Sequence, residues 1–202
     1  MATAVCSEAG RRGNQLRHEF TLTGKPTQAN VTVSSLGYNV LRCNGAPVSN
    51  HLLEPGRSNS ERVFFSTFDL LPCLKTGLNA LGVTLGNGWY TSDGNQPGAV
   101  QSPPSLWLEA LITLRDGEQV RIVSDIQTWK SSTGDVIYDS VYQGETQDLR
   151  LRTLGWDSPG YNDTAWPAAV LGFDVDGVLE MTEQTRAPVV ELAALKAEKM
   201  WR

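Results

Sequence analysis

The chain has 202 residues, which is enough to bury one sizeable core and indicates a single domain. Its 19 Gly, 10 Pro and 6 Trp, within 40% hydrophobic residues, favour a turn-rich, all-β protein over a helical one. The formal net charge is -5, and acidic and basic side chains are mixed along the chain without a basic stripe. A protein that binds a phosphate backbone needs such a stripe, so no nucleic acid is expected as a partner.

The sequence gives no sign of a membrane segment or of secretion. No run of about 18 apolar residues occurs, and the apolar run Ala4–Cys6 is too short for the core of a signal peptide. The 3 Cys are widely spaced and accompanied by only 2 His, which fits neither a disulfide framework nor a zinc site. We therefore predict a soluble protein in a reducing, cytoplasmic compartment, with no membrane partner.

The first predicted elements are strands and a hairpin. Residues 1–14 have no apolar periodicity and are expected to form a flexible leader. Apolar residues then alternate with polar ones in the runs 16–22 and 29–33, which is the period of a half-buried strand. Asn44-Gly45 lies between two further short runs, and this pair favours a tight hairpin turn because both central positions need a positive φ.

The middle of the chain continues the same pattern. A strand is predicted over 62–68, a single helical turn that ends at Gly77 over 69–77, and another strand from Leu81 that stops at Gly86. The longest alternating stripe runs from 106 to 114 and is followed by a turn and a return strand. Short strands with turn signals at intervals of about 8–12 residues indicate an antiparallel β-sandwich.

The domain boundaries follow from these elements. We expect the sandwich to span residues 15–190, and residues 191–202 to form a tail or a linker to an absent catalytic region. The pattern of this tail fits a helix by propensity and also an extended strand, and it does not decide between them.

Several motifs occur in a fixed order along the chain. They are Leu36-Gly37-Tyr38, Asn44-Gly45, Glu54-Pro55-Gly56, the run Leu81 to Tyr90, Trp129-Lys130, the run Tyr142 to Asp148 and the run Gly155 to Trp166. In order and spacing they resemble the amino-terminal region of bacterial α-L-rhamnosidases of glycoside hydrolase family 78, over roughly residues 16–190.

The resemblance implies a galactose-binding-like jelly roll, related to carbohydrate-binding module family 67, which in some relatives holds L-rhamnose with a calcium ion. In that family, an acidic pair performs an inverting hydrolysis in a barrel of paired helices further along a much longer chain. Such carboxyl groups stand about 6.5–9.5 Å apart in a deep pocket. The residues after Trp166 are too few to build that barrel, so no catalytic residue is predicted here.

The first candidate binding residues follow a predicted strand. Asn87, Trp89 and Tyr90 come directly after Gly86, where the chain enters a long loop. An aromatic face stacks on a pyranose and amide groups bind its hydroxyls, so we predict that these side chains bind sugar. The structural alternative is that the glycines shape a bend and that Trp89 fills the end of the sandwich.

Asp93 and Asn95 lie further along the same loop and are predicted to bind sugar as well. Their side-chain oxygens are also ligands that a calcium ion uses, which makes calcium the one candidate cofactor. The alternative is that Ser92-Asp93-Gly94-Asn95 forms only a turn.

A second candidate polar site is formed by Glu145 and Asp148, three residues apart after a glycine. One hypothesis makes them an acid and base pair or a metal site. The alternative is a structural role, in which Glu145 caps a strand or pairs with Arg150 or Arg152.

The run from 155 to 166 has an expected structural role. We predict that Trp156, Tyr161 and Trp166 form an apolar plug and that Asp157 and Asp163 bond to backbone amides.

Four functions remain open at this level. The leading one is an accessory carbohydrate-related module that binds a rhamnose-containing glycan or docks on the catalytic domain of a longer chain or separate subunit. The others are a free-standing lectin-like protein, a scaffolding domain with an exposed apolar patch near 189–201, and an active glycosidase.

Overall fold

The computed structural model describes residues 1–7, 14–56, 58, 62–90, 102–172 and 180–194. Within these residues the strands are, in chain order, β1 (Val5–Cys6), β2 (Gln15–Leu22), β3 (Pro26–Leu36), β4 (Tyr38–Cys43), β5 (Ala46–Pro47), β6 (His51–Leu52), β7 (Arg62–Asp69), β8 (Gly77–Gly86), β9 (Ser105–Leu114), β10 (Gln119–Val123), β11 (Lys130–Ser132), β12 (Val136–Ser140), β13 (Gly144–Gln147), β14 (Val170–Leu171), β15 (Glu180–Glu183) and β16 (Val189–Val190). Short 3-10 helices span Leu71–Cys73 and Leu149–Leu151.

The strands form two main sheets. The seven-stranded sheet has the order β14-β1-β9-β3-β7-β15, with β10 also paired to β9. The five-stranded sheet has the order β11-β2-β8-β4-β5, and the pairs β12-β13 and β16-β6 stand apart. Each described pairing is antiparallel except that of β15 with β7.

One hydrophobic core lies between the two sheets. The even-numbered residues of β9, from Leu106 to Leu114, are buried against odd-numbered residues of β8, such as Leu81 and Val83. Because successive side chains of a strand point to opposite faces, each sheet keeps one face for the core and one outer face. The predicted antiparallel β-sandwich is therefore confirmed.

The turns match the sequence in most places. Asn44 and Gly45 both have positive φ, at 52° and 84°, and join β4 to β5 as the predicted hairpin. The predicted helical turn over 69–77 is the 3-10 helix Leu71–Cys73, but Gly77 does not end it. Gly77 instead opens β8, with φ 89°.

The amino-terminal end of the chain differs from the expected leader. Val5–Cys6, within the expected flexible leader, is a buried strand that pairs with β9 and β14. Its pairing partners lie about 100 or more residues away, so local sequence pattern carries no signal for it. Val189–Val190 pairs with His51–Leu52. Residues 195–202 lie outside the described residues, so the choice between helix and strand stays open.

Candidate functional site

The candidate site lies on the outer face of the five-stranded sheet. Because Leu81, Val83 and Leu85 point into the core, Thr84 and Gly86 of β8 face outward. β4 lies beside them, and its Tyr38 is paired with Gly86 in the sheet register. The end of this face is therefore built from small or polar groups beside one aromatic ring.

The hairpin formed by β12 and β13 makes a wall over this surface. Asp139 and Ser140 of β12, and Glu145 of β13, line an open groove of about 360 Å3 together with Tyr38 and Gly88. Asp139 and Glu145 are direct partners in the hairpin register. The groove thus holds two carboxylates, the hydroxyls of Thr84 and Ser140 and an aromatic ring among apolar side chains such as Val40, without a basic side chain among its lining residues.

Asn87 fixes the wall to the end of β8. Its backbone N–H donates to Asp139 Oδ1 at 2.8 Å, and its side-chain Nδ2 donates to Asp139 Oδ2 at 2.9 Å. The Asn87 side chain is buried, and its Oδ1 has no hydrogen-bond partner among the described residues. Asn87 therefore holds Asp139 in place at the edge of the groove.

Trp89 and Tyr90 lie in different surroundings. The Trp89 ring contacts Tyr142, on the turn that joins β12 to β13, edge to face with centroids 5.2 Å apart. Tyr90 is buried with Leu36 and Val63 in a small second cluster, and this burial raises the pKa of its phenol. Trp89 thus braces the hairpin, while the Tyr90 ring faces an apolar cluster.

Glu145 and Asp148 do not form a pair in the described structure. Asp148 caps the 3-10 helix Leu149–Leu151 and accepts from Arg150 Nε at 2.8 Å, and this hydrogen bonding lowers the pKa of its carboxyl. Arg152 pairs instead with Asp135, at 2.7 Å. Glu145 is exposed in the groove and has no ion-pair partner among the described residues. The predicted pairing of Glu145 with Arg150 or Arg152 was therefore wrong, because Asp148 and Asp135 occupy those arginines.

The predicted calcium ligands cannot be placed. Asp93 and Asn95 lie outside the described residues. Among the described residues, no group of three His, Cys, Asp or Glu side chains is arranged to hold a metal ion. The Asp139 carboxylate, the nearest acidic group to Asn87, already accepts two hydrogen bonds from it. Calcium at Asp93 and Asn95 stays a prediction.

Arg17, Gly82 and Arg42 form a row across three strands of the five-stranded sheet. This row holds the run from 155 to 166 against the outer face of that sheet. Arg17 on β2 and Arg42 on β4 both pair with Gly82 of β8 in the sheet register. Arg42 Nε donates to Asp157, and Arg17 donates to Asp163 and, at 2.8 Å, to the Trp156 carbonyl. The Arg17 side chain is only 1% exposed. The two arginines therefore fasten this run to the sheet.

The aromatic side chains of this run contact one another, with Trp156 buried and Tyr161 and Trp166 partly buried, but its carboxylates differ from the prediction. Trp156 and Trp166 stack with centroids 6.0 Å apart, and Tyr161 contacts Trp166 edge to face at 5.8 Å. The prediction that Asp157 and Asp163 bond to backbone amides was wrong, because both side chains bind arginines. Lys130 adds a second cation to Asp163, at 2.7 Å.

Sequence analysis missed several groove residues. Asp139 and Ser140 lie in a short strand without a strong alternating pattern, so nothing in the sequence singles them out. Tyr38 belongs to the Leu36-Gly37-Tyr38 motif, for which the sequence predicts no binding role. The available signal was that motif, since Gly37 and Tyr38 lie in contact with Gly88 across the sheet.

The fold and the groove define a β-sandwich module with an open groove, lined by apolar and acidic side chains, over one outer sheet face. The chain belongs to the family of α-L-rhamnosidase N-terminal domains, whose sequence profile it matches over residues 24–197. It is 34% identical over 191 residues to an α-L-rhamnosidase of Streptomyces avermitilis, covering 93% of this chain and 18% of that relative. The chain spans about a fifth of the length of the curated relatives it matches.

Solved structures agree with this assignment. The α-L-rhamnosidase of Dictyoglumus thermophilum superposes with a TM-score of 0.87 at 26% identity, over 99% of this chain and 24% of that chain. The Streptomyces avermitilis α-L-rhamnosidase complexed with L-rhamnose has a TM-score of 0.80 at 31% identity, over 94% of this chain and 18% of that chain. Across the described residues, no helix is both long and apolar enough to cross a membrane.

Proposed function

We propose that this chain is an accessory, carbohydrate-related module of an α-L-rhamnosidase-like protein and that its groove binds a sugar of a rhamnose-containing glycan. The observation that supports the proposal is that two segments far apart in the sequence, around Asn87 and Glu145, come together at one groove. Asn87 and Glu145 were predicted as members of two sites, yet Glu145 lines the same groove whose wall Asn87 holds.

The chemistry of the groove suits a neutral pyranose. Glu145 and Asp139 offer carboxylate oxygens that accept hydrogen bonds from sugar hydroxyls, and Ser140 can donate or accept. Tyr38 presents an aromatic surface of the kind on which an apolar sugar face packs. Gly88 has φ 55°, and a Cβ there would lie 3.1 Å from the Tyr38 ring, so a glycine keeps this edge of the groove open.

Titration with L-rhamnose tests the site. We expect wild-type chain to bind L-rhamnose in isothermal calorimetry and Glu145→Gln to bind about tenfold more weakly, because a charge-assisted hydrogen bond is lost. Asp148→Asn is the matched control, since Asp148 is a nearby acid whose carboxylate is occupied by Arg150. Equal affinity of wild type and Glu145→Gln, or no binding by wild type with and without calcium, would contradict the proposal.

We also propose that the chain has no catalytic site of its own. An inverting pair needs two carboxyl groups on either side of a sugar and a water in a deep pocket, whereas Asp139 and Glu145 are neighbours on one hairpin beside an open groove. Purified chain is expected to release no nitrophenol from an aryl α-L-rhamnoside. Release that disappears in Glu145→Gln would overturn this proposal.

A second candidate function is docking on the catalytic domain of a longer chain or a separate subunit. Large apolar side chains are exposed along the hairpin and the segment after it, including Tyr142 at 65%, Leu149 at 61% and Leu154 at 83%. In the expected patch near 189–201, Val189 and Leu192 are exposed, and residues 195–201 lie outside the described residues. Exposed apolar clusters of this kind mark interaction surfaces.

Copurification tests this second function. The chain would be coexpressed with the remainder of the Streptomyces avermitilis relative, and the two would be expected to copurify. Leu149→Ser with Leu154→Ser should reduce the recovery, whereas Leu192→Ser, at an exposed site outside this cluster, should not. Recovery that is the same for all variants would contradict docking through this surface.

The cysteines support a cytoplasmic location, which we propose on that ground. Cys6, Cys43 and Cys73 are all free thiols. Burial raises the pKa of Cys43 to about 12, so its thiol is protonated and unreactive at neutral pH. Fractionation of producing cells would check the location, and recovery of the chain from the periplasm or medium would contradict it.

A further inference from the structure

The outer face of the seven-stranded sheet carries a second surface, away from the groove. Because Leu106, Leu108 and the other even-numbered residues of β9 point into the core, the odd-numbered residues point outward. Trp107 is the first of these, followed by Glu109, Leu111 and Thr113. This row crosses the middle of the sheet, since β9 pairs with β3 on one side and with β10 on the other.

Trp107 differs from the other tryptophans of the described residues. Trp89, Trp156 and Trp166 each contact another aromatic ring, and Trp129 donates its indole N–H to the Val123 carbonyl at 2.8 Å. Trp107 has neither a ring contact nor a hydrogen bond in this part of the chain, although it is partly exposed on a sheet face. Its ring and its N–H donor are therefore both available to a ligand.

Amide side chains surround the same surface. Gln28 and Asn30 lie on β3, Gln119 lies on β10, and all three are exposed. Their side chains have no hydrogen-bond partner among the described residues, in contrast to Asn14, which is tied into the backbone. Three amides that each offer a donor and an acceptor therefore face outward beside Leu111 and Thr113, toward the opposite end of β9 from Trp107.

The charges of this face cancel each other. Arg121 binds Glu109 with two parallel hydrogen bonds, both 2.9 Å long. Arg121 thereby neutralises Glu109, and the remaining polar side chains that line the depression along β9 and β3 are amides and hydroxyls. A neutral ligand with many hydroxyl groups matches this surface, whereas a nucleic acid would need unpaired cations.

Trp107 lies where two depressions meet. One, of about 390 Å3, extends along β9 and β3 to Thr113 and Gln119. The other, of about 460 Å3, extends past Leu36 and Val63 to the first residues of the chain. From Trp107 to Thr113 the strand alone is about 20 Å long at its usual rise per residue. The surface is therefore long enough for several sugar rings in a row.

We propose that the outer face of the seven-stranded sheet binds an oligosaccharide along β9, with one pyranose stacked on Trp107 and the hydroxyls of sugars further along the strand bound by Asn30, Gln28 and Gln119. The Trp107 indole supplies the apolar contact and the amides supply bidentate hydrogen bonds. The surface shares no lining residue with the groove. Only the choice of a rhamnose-containing glycan as its probe rests on the proposed function.

Affinity electrophoresis in gels that contain rhamnogalacturonan tests this proposal. We expect the polysaccharide to retard the Glu145→Gln variant, whose groove is impaired. Adding Trp107→Ala to that variant should weaken the remaining binding at least about tenfold. Trp107→Phe keeps an aromatic face and should retain part of it. Ile126→Ala is the control, because Ile126 is an exposed apolar residue that lines neither the groove nor this surface.

Three outcomes would overturn the proposal. The first is retardation of the Trp107→Ala double variant equal to that of Glu145→Gln alone, with both folded by circular dichroism. The second is loss of all retardation on Glu145→Gln, which would assign the glycan to the groove and support the proposed function. The third is a change of oligomeric state in Trp107→Ala by sedimentation, which would show that this face binds protein.

Discussion

At the residue scale, Asn87 connects the fold of this domain to its groove. It follows the last residue of β8 and gives both its backbone and side-chain donors to one carboxylate, that of Asp139. An asparagine suits this position because it donates to an anion while remaining neutral itself. The hydrogen bonds also stabilise the charged Asp139 carboxylate beside Glu145, its partner in the hairpin register.

Asn87→Asp should therefore destabilise the domain. The substitution replaces the donor by a second carboxylate against Asp139, and we expect a loss of about 1–3 kcal/mol in the free energy of unfolding at pH 7. Repulsion raises the folded-state pKa of these carboxyls, so the loss should shrink as the pH falls below about 5. Urea unfolding at both pH values checks this. Asn87→Asp with Asp139→Asn should recover stability, and an Asn87→Asp loss that does not change with pH would count against the explanation.

His18 gives a second prediction at this scale. Its ring lies between Phe20 and Trp129, with centroids 5.8 Å and 5.6 Å away. Burial lowers the pKa of His18 below its ordinary 6.5, and the nearby Arg17 acts in the same direction, against the opposing effects of Thr128, Asp125 and Glu19. The folded state therefore prefers the neutral ring.

Acidification should therefore destabilise the domain through His18. Above the unfolded pKa both states hold a neutral ring, and as the pH falls below 6.5 the unfolded state gains the proton first, so stability is lost. NMR titration should give a His18 pKa below 6.5. His18→Gln should remove this part of the fall in unfolding free energy between pH 7 and pH 5. A His18 pKa at or above the ordinary value would show that burial does not dominate.

At the scale of elements, the row Arg17–Gly82–Arg42 joins three strands to the run from 155 to 166. Gly82 is the middle of this row, and its lack of a side chain lets that run lie directly on β8. A Cβ at Gly82 would stand 2.7 Å from Asp157 Cβ and 2.9 Å from the Trp156 ring. The tryptophans of the run and the glycine of the sheet therefore depend on each other.

Gly82→Ala should push this run away from the sheet. We expect a loss of about 1–3 kcal/mol in the free energy of unfolding, which is typical of overpacking at a close contact. Gly24→Ala is the control, because its Cβ would meet only the Leu114 side chain, at an ordinary 3.5 Å. Chemical denaturation of both variants makes the comparison. Equal stability of Gly82→Ala and wild type would mean that the run shifts without cost.

The elements also show how far the sequence predicts this domain. Alternation predicts β3, β8 and β9, and turn chemistry predicts the Asn44-Gly45 hairpin, because both signals are local. β1 and β14 are only two residues long and pair with strands far away in the chain, so no local pattern identifies them.

The candidate site was predictable in part, for the same reason. Asn87 and Glu145 could be chosen by residue type and motif. Their convergence depends on how the β12-β13 hairpin lies over β8, which is a tertiary arrangement. No sequence pattern distinguishes Arg17 from other cations, and only its burial against Trp156 and Asp163 shows its role.

At the scale of the whole molecule, the two candidate surfaces lie on opposite sides of the sandwich. The groove is on the outer face of the five-stranded sheet, and the Trp107 surface is on the outer face of the seven-stranded sheet, with the core between them. A short oligosaccharide bound on one face does not reach the other. A domain that binds sugar at both surfaces is a bivalent polysaccharide-binding protein.

Bivalence predicts cross-linking. Wild-type chain mixed with rhamnogalacturonan should form large complexes that scatter light, because each domain can hold two polysaccharide strands. Trp107→Ala and Glu145→Gln should each keep binding in affinity gels but lose the scattering, since each retains only one surface. Free L-rhamnose in excess should compete at the groove and disperse the wild-type complexes. Scattering that persists in both single variants would contradict this prediction and would require another way for one complex to hold two polysaccharide strands. Self-association through the exposed leucines Leu149 and Leu154 is one such way, and Leu149→Ser with Leu154→Ser would then remove the scattering.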